Sequence, residues 1–155
     1  MIDVTVPYDR DFTVRASADE AYALVADIER SSSHFPGLLR VEHVDGAGRW
    51  RWYMEEKGVG PIKLRVQYDA VYTVDADSRT VHWSPPAKGA GEMESRGSWT
   101  IFEDGDGARL EFRSVTVAHV PAPRLMRGMV DVIANDELSK LMAAYTDAIR
   151  ATLNA

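Results

Sequence analysis

The sequence predicts an α+β fold: a curved, seven-stranded antiparallel sheet around one long C-terminal helix, with two short helices after the first strand. Three observations lead there. Between residues 38 and 119, six alternating runs are separated by turn-forming stretches, the mark of an antiparallel meander. Residues 124–153 hold good helix formers and no proline, enough for one helix of up to about 45 Å. Near the start, Ser17-Ala18-Asp19-Glu20 is a capping box, in which the Ser17 hydroxyl accepts from the Glu20 N–H.

Residues 11–16 alternate and carry β-formers, so they read as the first strand. The capped helix runs to about Arg30, with Tyr22, Val25 and Ile28 spaced for one buried stripe. Ser31-Ser32-Ser33 interrupts it, and Pro36-Gly37 stops the short turn at His34-Phe35. The six later runs are 38–44, 49–57, 62–74, 80–84, 92–103 and 108–119. Turn residues such as Asp45-Gly46-Ala47-Gly48, Gly58-Val59-Gly60-Pro61 and Asp104-Gly105-Asp106-Gly107 lie between them. Pro121 and Pro123 close the strand pattern before the long helix.

Bulk properties narrow the function. A chain of 155 residues suits one domain, 1–155, with one core. No cysteine is present, which removes disulfides, thiolate catalysis and cysteine-ligated metal; no pair of histidines has ligand spacing either, so neither a metal nor a cofactor is expected. The acidic start, with Asp3, Asp9 and Asp11, is unlike a secretory signal, and no apolar run approaches the roughly 20 residues that span a bilayer. The expectation is a cytoplasmic protein. With 18 basic against 24 acidic residues and no basic block, nucleic acid is not an expected partner.

The local text resembles the START-related SRPBCC superfamily, whose fold is the helix grip of the birch-pollen allergen. The residues carrying the resemblance are Phe12-Thr13-Val14-Arg15-Ala16-Ser17, Ala21 through Asp27, and Phe35-Pro36-Gly37-Leu38. Gly97-Ser98-Trp99-Thr100, Gly107-Ala108-Arg109-Leu110 and Val120-Pro121-Ala122-Pro123 are similar to the last two strands and the approach to the helix. The resemblance covers nearly the whole chain and implies the fold. It implies a group containing polyketide cyclases, lipid and quinone carriers and accessory proteins, among which fold does not choose.

Strand alternation assigns the faces. Ile62, Leu64, Val66, Tyr68, Ala70 and Tyr72 share one face of the longest run, opposite Lys63, Arg65, Gln67 and Asp69. The same parity turns Leu39, Val41, His43, Trp50, Trp52, Met54, Val81, Trp83, Gly97, Trp99, Ile101, Leu110, Phe112, Ser114 and Thr116 inward. Aromatic residues on such a face form either plain core or the wall of a pocket, for which about 300–1,000 Å³ is usual. The expected ligand wall is Trp52, Val66, Tyr68, Tyr72, Trp83, Trp99, Phe112 and Ser114, with Ile133 and Leu141 from the helix. His43, Tyr68 and Glu137 are the candidate acid–base groups, because His43 alone of the four histidines points inward and Glu137 borders the helix stripe.

That stripe is discontinuous. Ala134, Leu138, Leu141, Tyr145 and Ile149 form one face, while Leu125, Met126, Met129, Val132 and Ile133 form another well over 90° away by helical geometry. A bend near 134–137 is one expectation. The segment around Met126 and Met129 is either core beneath loops or a surface for a membrane, a partner protein or a second copy of the chain. The expected function is binding or carriage of a lipid-like, quinone-like or polycyclic aromatic molecule. A cyclase or dehydratase-type enzyme and an accessory protein remain as alternatives.

Overall fold

The computed structural model describes residues 1–155. Strand β1 (Ile2–Val14) is followed by α1 (Ala18–Ala26) and α2 (Ile28–Ser32). Then come β2 (Leu38–His43), β3 (Arg49–Met54), β4 (Lys57–Val59), β5 (Ile62–Leu64), β6 (Gln67–Asp75), β7 (Thr80–Ser84), β8 (Met93–Asp104) and β9 (Gly107–Val120). A short 3-10 turn, Arg124–Met126, leads into α3 (Arg127–Leu153). Seven strands form one antiparallel sheet in the order β1-β9-β8-β7-β6-β3-β2, and β4 and β5 pair separately. The predicted sheet and long helix are present.

Local chemistry explains the helix starts. Ser17 caps α1 by accepting from the Glu20 N–H at 3.2 Å. Asp27 ends α1 and caps α2 by accepting from the Arg30 N–H at 3.1 Å. The helix therefore breaks at Asp27, earlier than the expected run to Arg30. The first strand also begins earlier than expected, at Ile2, because Ile2, Val4 and Val6 are buried at alternate positions. Pro7 is tolerated within it because β1 is an edge strand, where a missing N–H costs no ladder bond.

Two expectations about the sheet change. The run 62–74 is not one strand: β5 folds back on β4 across Gly60 (φ +61°), and β6 resumes the main sheet between β3 and β7. A bulge between Leu38 and Arg40 places Leu38 and Val41 opposite Met54 and Trp52 and turns Leu39 outward, 65% exposed. His43 keeps the predicted parity, opposite Trp50, but lies on the edge strand beyond the reach of the helix. It is exposed and stacks on Trp50 at 4.6 Å.

Helix α3 is one uninterrupted helix through 134–137, so the change of stripe occurs without a break. Its later half crosses β1, where Arg10 donates to Thr146 Oγ1 at 2.9 Å and pairs with Asp147 at 2.7 Å. On the sheet's outer face, Asp69 is only 2% exposed. Arg49 Nε and Arg51 Nε reach its two oxygens at 2.6 and 2.8 Å, and the Asp69 N–H donates to the Ala90 carbonyl at 2.8 Å. Burial raises the Asp69 carboxyl, but the hydrogen bonds and charges of Arg51 and Arg49 outweigh it and hold the group below its ordinary value.

Because the folded value is depressed, this pairing contributes in full above about pH 4 and is lost as pH falls through the folded value. Asp69→Ala should destabilise the protein by about 2–3 kcal/mol at neutral pH, less than a fully buried pair because both guanidinium groups keep solvent contact. Urea unfolding checks it: the gap from the parent should narrow in acid, and equal midpoints at neutral pH would contradict it.

Candidate binding cavity

Between the sheet and α3 the inward strand positions enclose an aromatic cavity. Trp52, Tyr68, Tyr72, Trp83, Trp99, Phe112 and Ser114 line it from the sheet. Ser31 of α2, Phe35 of the following loop, and Met142 and Tyr145 of α3 close it. Gly97 lets Trp83 lie flat, since a Cβ there would come within 2.5 Å of Trp83 Cζ2 and collide with the Arg113 carbonyl. The free space enclosed by these side chains is only about 30 Å³. That holds a water or two, so a larger guest requires side chains to move.

Phe35 closes the cavity from the loop side. It sits in the loop closed by Pro36-Gly37 and is half-buried, stacked on Tyr145 at 3.9 Å and edge-on to Trp52 at 5.1 Å. Tyr145 is more firmly fixed. Its hydroxyl meets Ser31 Oγ at 2.6 Å and accepts from Trp99 Nε1 at 3.2 Å. Trp83 Nε1 donates to Ser95 Oγ at 3.1 Å.

Three buried polar atoms lack a partner: Trp52 Nε1, Ser114 Oγ and Thr116 Oγ1. The Tyr72 hydroxyl lies near the Trp52 nitrogen, short of hydrogen-bond geometry. An unsatisfied buried group costs about 1–3 kcal/mol, so water or a ligand with polar atoms would be stabilised against Trp52 and Ser114, the two of these residues that line the cavity.

No carboxylate, histidine, lysine or arginine lines the inner cavity. Its titratable groups are phenols, all shifted away from neutrality. Burial pushes the Tyr145 hydroxyl up to about 12, with the Ser31 and Trp99 hydrogen bonds opposing. Burial and then the neighbouring Tyr145 raise Tyr68, and burial raises Tyr72 well above the ordinary tyrosine value. At neutral pH these phenols are uncharged and abstract no proton.

The remaining sequence candidates lie elsewhere. Val66, Leu141 and Glu137 border a second, largely apolar cleft of about 60 Å³ between the β4–β5 hairpin, the ends of β8 and β9, and α3. Glu137 is exposed there and does not face the inner phenols. Ile133 is at the hairpin tip, where a Cβ on Gly60 would lie 3.7 Å from its Cδ1. His43 joins neither space. Sequence reasoning did not assign Phe35, Ser31 or Tyr145 to the wall. The available signal for Tyr145 was its place as the one polar-tipped residue in the apolar stripe of α3.

A family profile described as "Polyketide cyclase / dehydrase and lipid transport" matches residues 2–147. No curated protein sequence matches closely enough to serve as a relative. A START superfamily protein from Mycobacterium smegmatis is similar in structure, with TM-score 0.64 and 18% identity over 95% of this chain and 96% of that one. The Zhui aromatase/cyclase from Streptomyces sp. R1128 has TM-score 0.59 and 18% identity over 97% and 99%. Norcoclaurine synthase from Thalictrum flavum, in complex with dopamine and hydroxybenzaldehyde, has TM-score 0.62 and 16% identity over 97% and 87%. At these identities the likeness shows the fold alone.

The ultraviolet phenolate signal tests the electrostatics. Tyr145→Phe should remove absorbance that develops near pH 12 in the parent. Loss of a component titrating near the ordinary tyrosine value of 10.0 would contradict the buried, neutral phenol.

Proposed function

Because the chain belongs to the polyketide cyclase / dehydrase and lipid transport family, we propose that it binds a hydrophobic small molecule between the sheet and the C-terminal helix, as a carrier or binding protein. One observation carries the choice of binding over catalysis: the inner cavity has aromatic walls and no group that titrates near neutral pH. General acid–base catalysis works best with a group whose pKa lies near the operating pH. Of the candidates for that role, Tyr68 is a strongly raised phenol, His43 is exposed at the sheet edge, and Glu137 borders the other cleft.

The wall chemistry supports a guest that combines apolar faces with a few oxygen atoms. Indole and phenol rings offer stacking surfaces, worth about 0.5–1.5 kcal/mol per aromatic pair beyond area burial. The unpartnered Trp52 Nε1 can only donate, so it suits a carbonyl or ether oxygen. Quinone-like and polycyclic aromatic molecules meet both demands. A plain hydrocarbon chain would leave Trp52 Nε1 and Ser114 Oγ unsatisfied.

Native mass spectrometry of freshly purified protein, followed by quenching of tryptophan fluorescence with a panel of lipids, quinones and polycyclic aromatics, tests this reading. A co-purifying compound or saturable quenching is expected. Ser114→Leu, which fills the cavity from the sheet side, should weaken that binding by about tenfold or more. Protein that is empty and indifferent to the whole panel would overturn the proposal.

A further inference from the structure

The 3-10 turn before α3 and the first turns of α3 carry exposed apolar side chains. Leu125 is 100% exposed, Val132 70% and Met129 40%. Spaced at i, i+4 and i+7, they form one ridge, which ends at Asp136, itself paired with Lys140 at 2.8 Å. The β4–β5 hairpin tip abuts this ridge: a Cβ on Gly60 would lie 2.8 Å from Met129 Cε and 3.7 Å from Ile133 Cδ1. Hairpin and ridge thus make one end of the molecule, and the apolar cleft runs between the hairpin and α3.

Charge at this end departs from the rest of the chain. Residues 57–66 and 121–132 contain Lys57, Lys63, Arg65, Arg124 and Arg127 against Asp131 alone, in a protein whose net charge is −6. Lys63, Arg65, Arg124 and Arg127 are all exposed. Glu92 and Glu137 line the cleft beside Lys57, so with Asp131 this end carries three carboxylates against the five basic side chains.

We infer that this end docks on an anionic lipid bilayer, with Leu125, Met129 and Val132 entering the interface and the basic side chains facing the head groups. Apolar burial and attraction to anionic lipid are the two contributions that hold an amphipathic segment at a membrane surface. A second copy of the chain fits less well, because an isologous contact would bring the exposed Lys63, Arg65, Arg124 and Arg127 of one copy against the same basic residues of the other. The contact is peripheral, since no helix is long and apolar enough to cross a membrane. Docking in this orientation presents the apolar cleft to the lipid and does not depend on the inner-cavity proposal.

Vesicle flotation of the full chain tests it, comparing phosphatidylcholine vesicles with vesicles containing about 30% phosphatidylglycerol. The protein should float with the anionic vesicles only and be released by about 0.5 M salt. Leu125→Ser with Val132→Ser, and separately Lys63→Glu with Arg65→Glu, should each lower partition by about tenfold or more at unchanged thermal stability. Absence of flotation with anionic vesicles, or retention of it by both variants, would overturn the inference. Self-association abolished by the same substitutions, without vesicle binding, would also overturn it and assign the face to a second copy. Ligand quenching by the unchanged inner cavity, measured on the same variants, separates failure of docking from failure of the binding proposal.

Discussion

A long helix laid over a curved sheet can leave space beneath it only if something other than close apolar contact fixes its height, and the Tyr145 hydroxyl provides that tie. It joins α3 to Ser31 of α2 and to Trp99 of β8, three elements far apart in sequence. Each bond contributes only about 1 kcal/mol net, but breaking the set strands an indole N–H and a serine hydroxyl in an apolar interior at about 1–3 kcal/mol each. Phe35 stacks on the same ring, so the loop side chain that closes the cavity rests on its most firmly held residue.

Much of this site was legible in the alternation of the strands. Trp52, Tyr68, Tyr72, Trp83, Trp99, Phe112 and Ser114 all lie on the inner face because a side-chain period of two leaves no choice once the apolar face is known. What alternation cannot supply is distance from the helix. His43 has the correct parity and the wrong place, at the end of an edge strand, and the bulge that turns Leu39 outward has no mark in the sequence. The break of the run 62–74 into β5 and β6 depends on β3 ending at Met54, a nonlocal fact. The contribution of Phe35 was hidden in a loop, where periodicity says nothing.

The two apolar spaces divide the molecule's properties. The inner cavity is nearly filled and aromatic, with unpartnered polar atoms on Trp52 and Ser114, so it selects by chemistry and admits a guest by rearrangement. The cleft beside the hairpin is largely apolar and sits at the end where exposed apolar and basic residues collect. Along the inner face, Met93 and Ser95 of β8, and Val66 just before β6 and Tyr68 within it, mark successive steps from one space to the other. Buffering by the protein plays no part in the inner space, since its phenols remain neutral well beyond neutral pH.

The central claim, that the cavity binds without an ionising group, is tested most directly by the pH dependence of affinity for a non-ionising aromatic ligand. Fluorescence quenching measured from about pH 5 to about pH 9 should give one dissociation constant throughout, because none of the inner phenols titrates in that interval. A sigmoidal or bell-shaped profile with a midpoint in that range, in protein that stays folded, would reveal a titrating group in contact with the ligand and contradict the account.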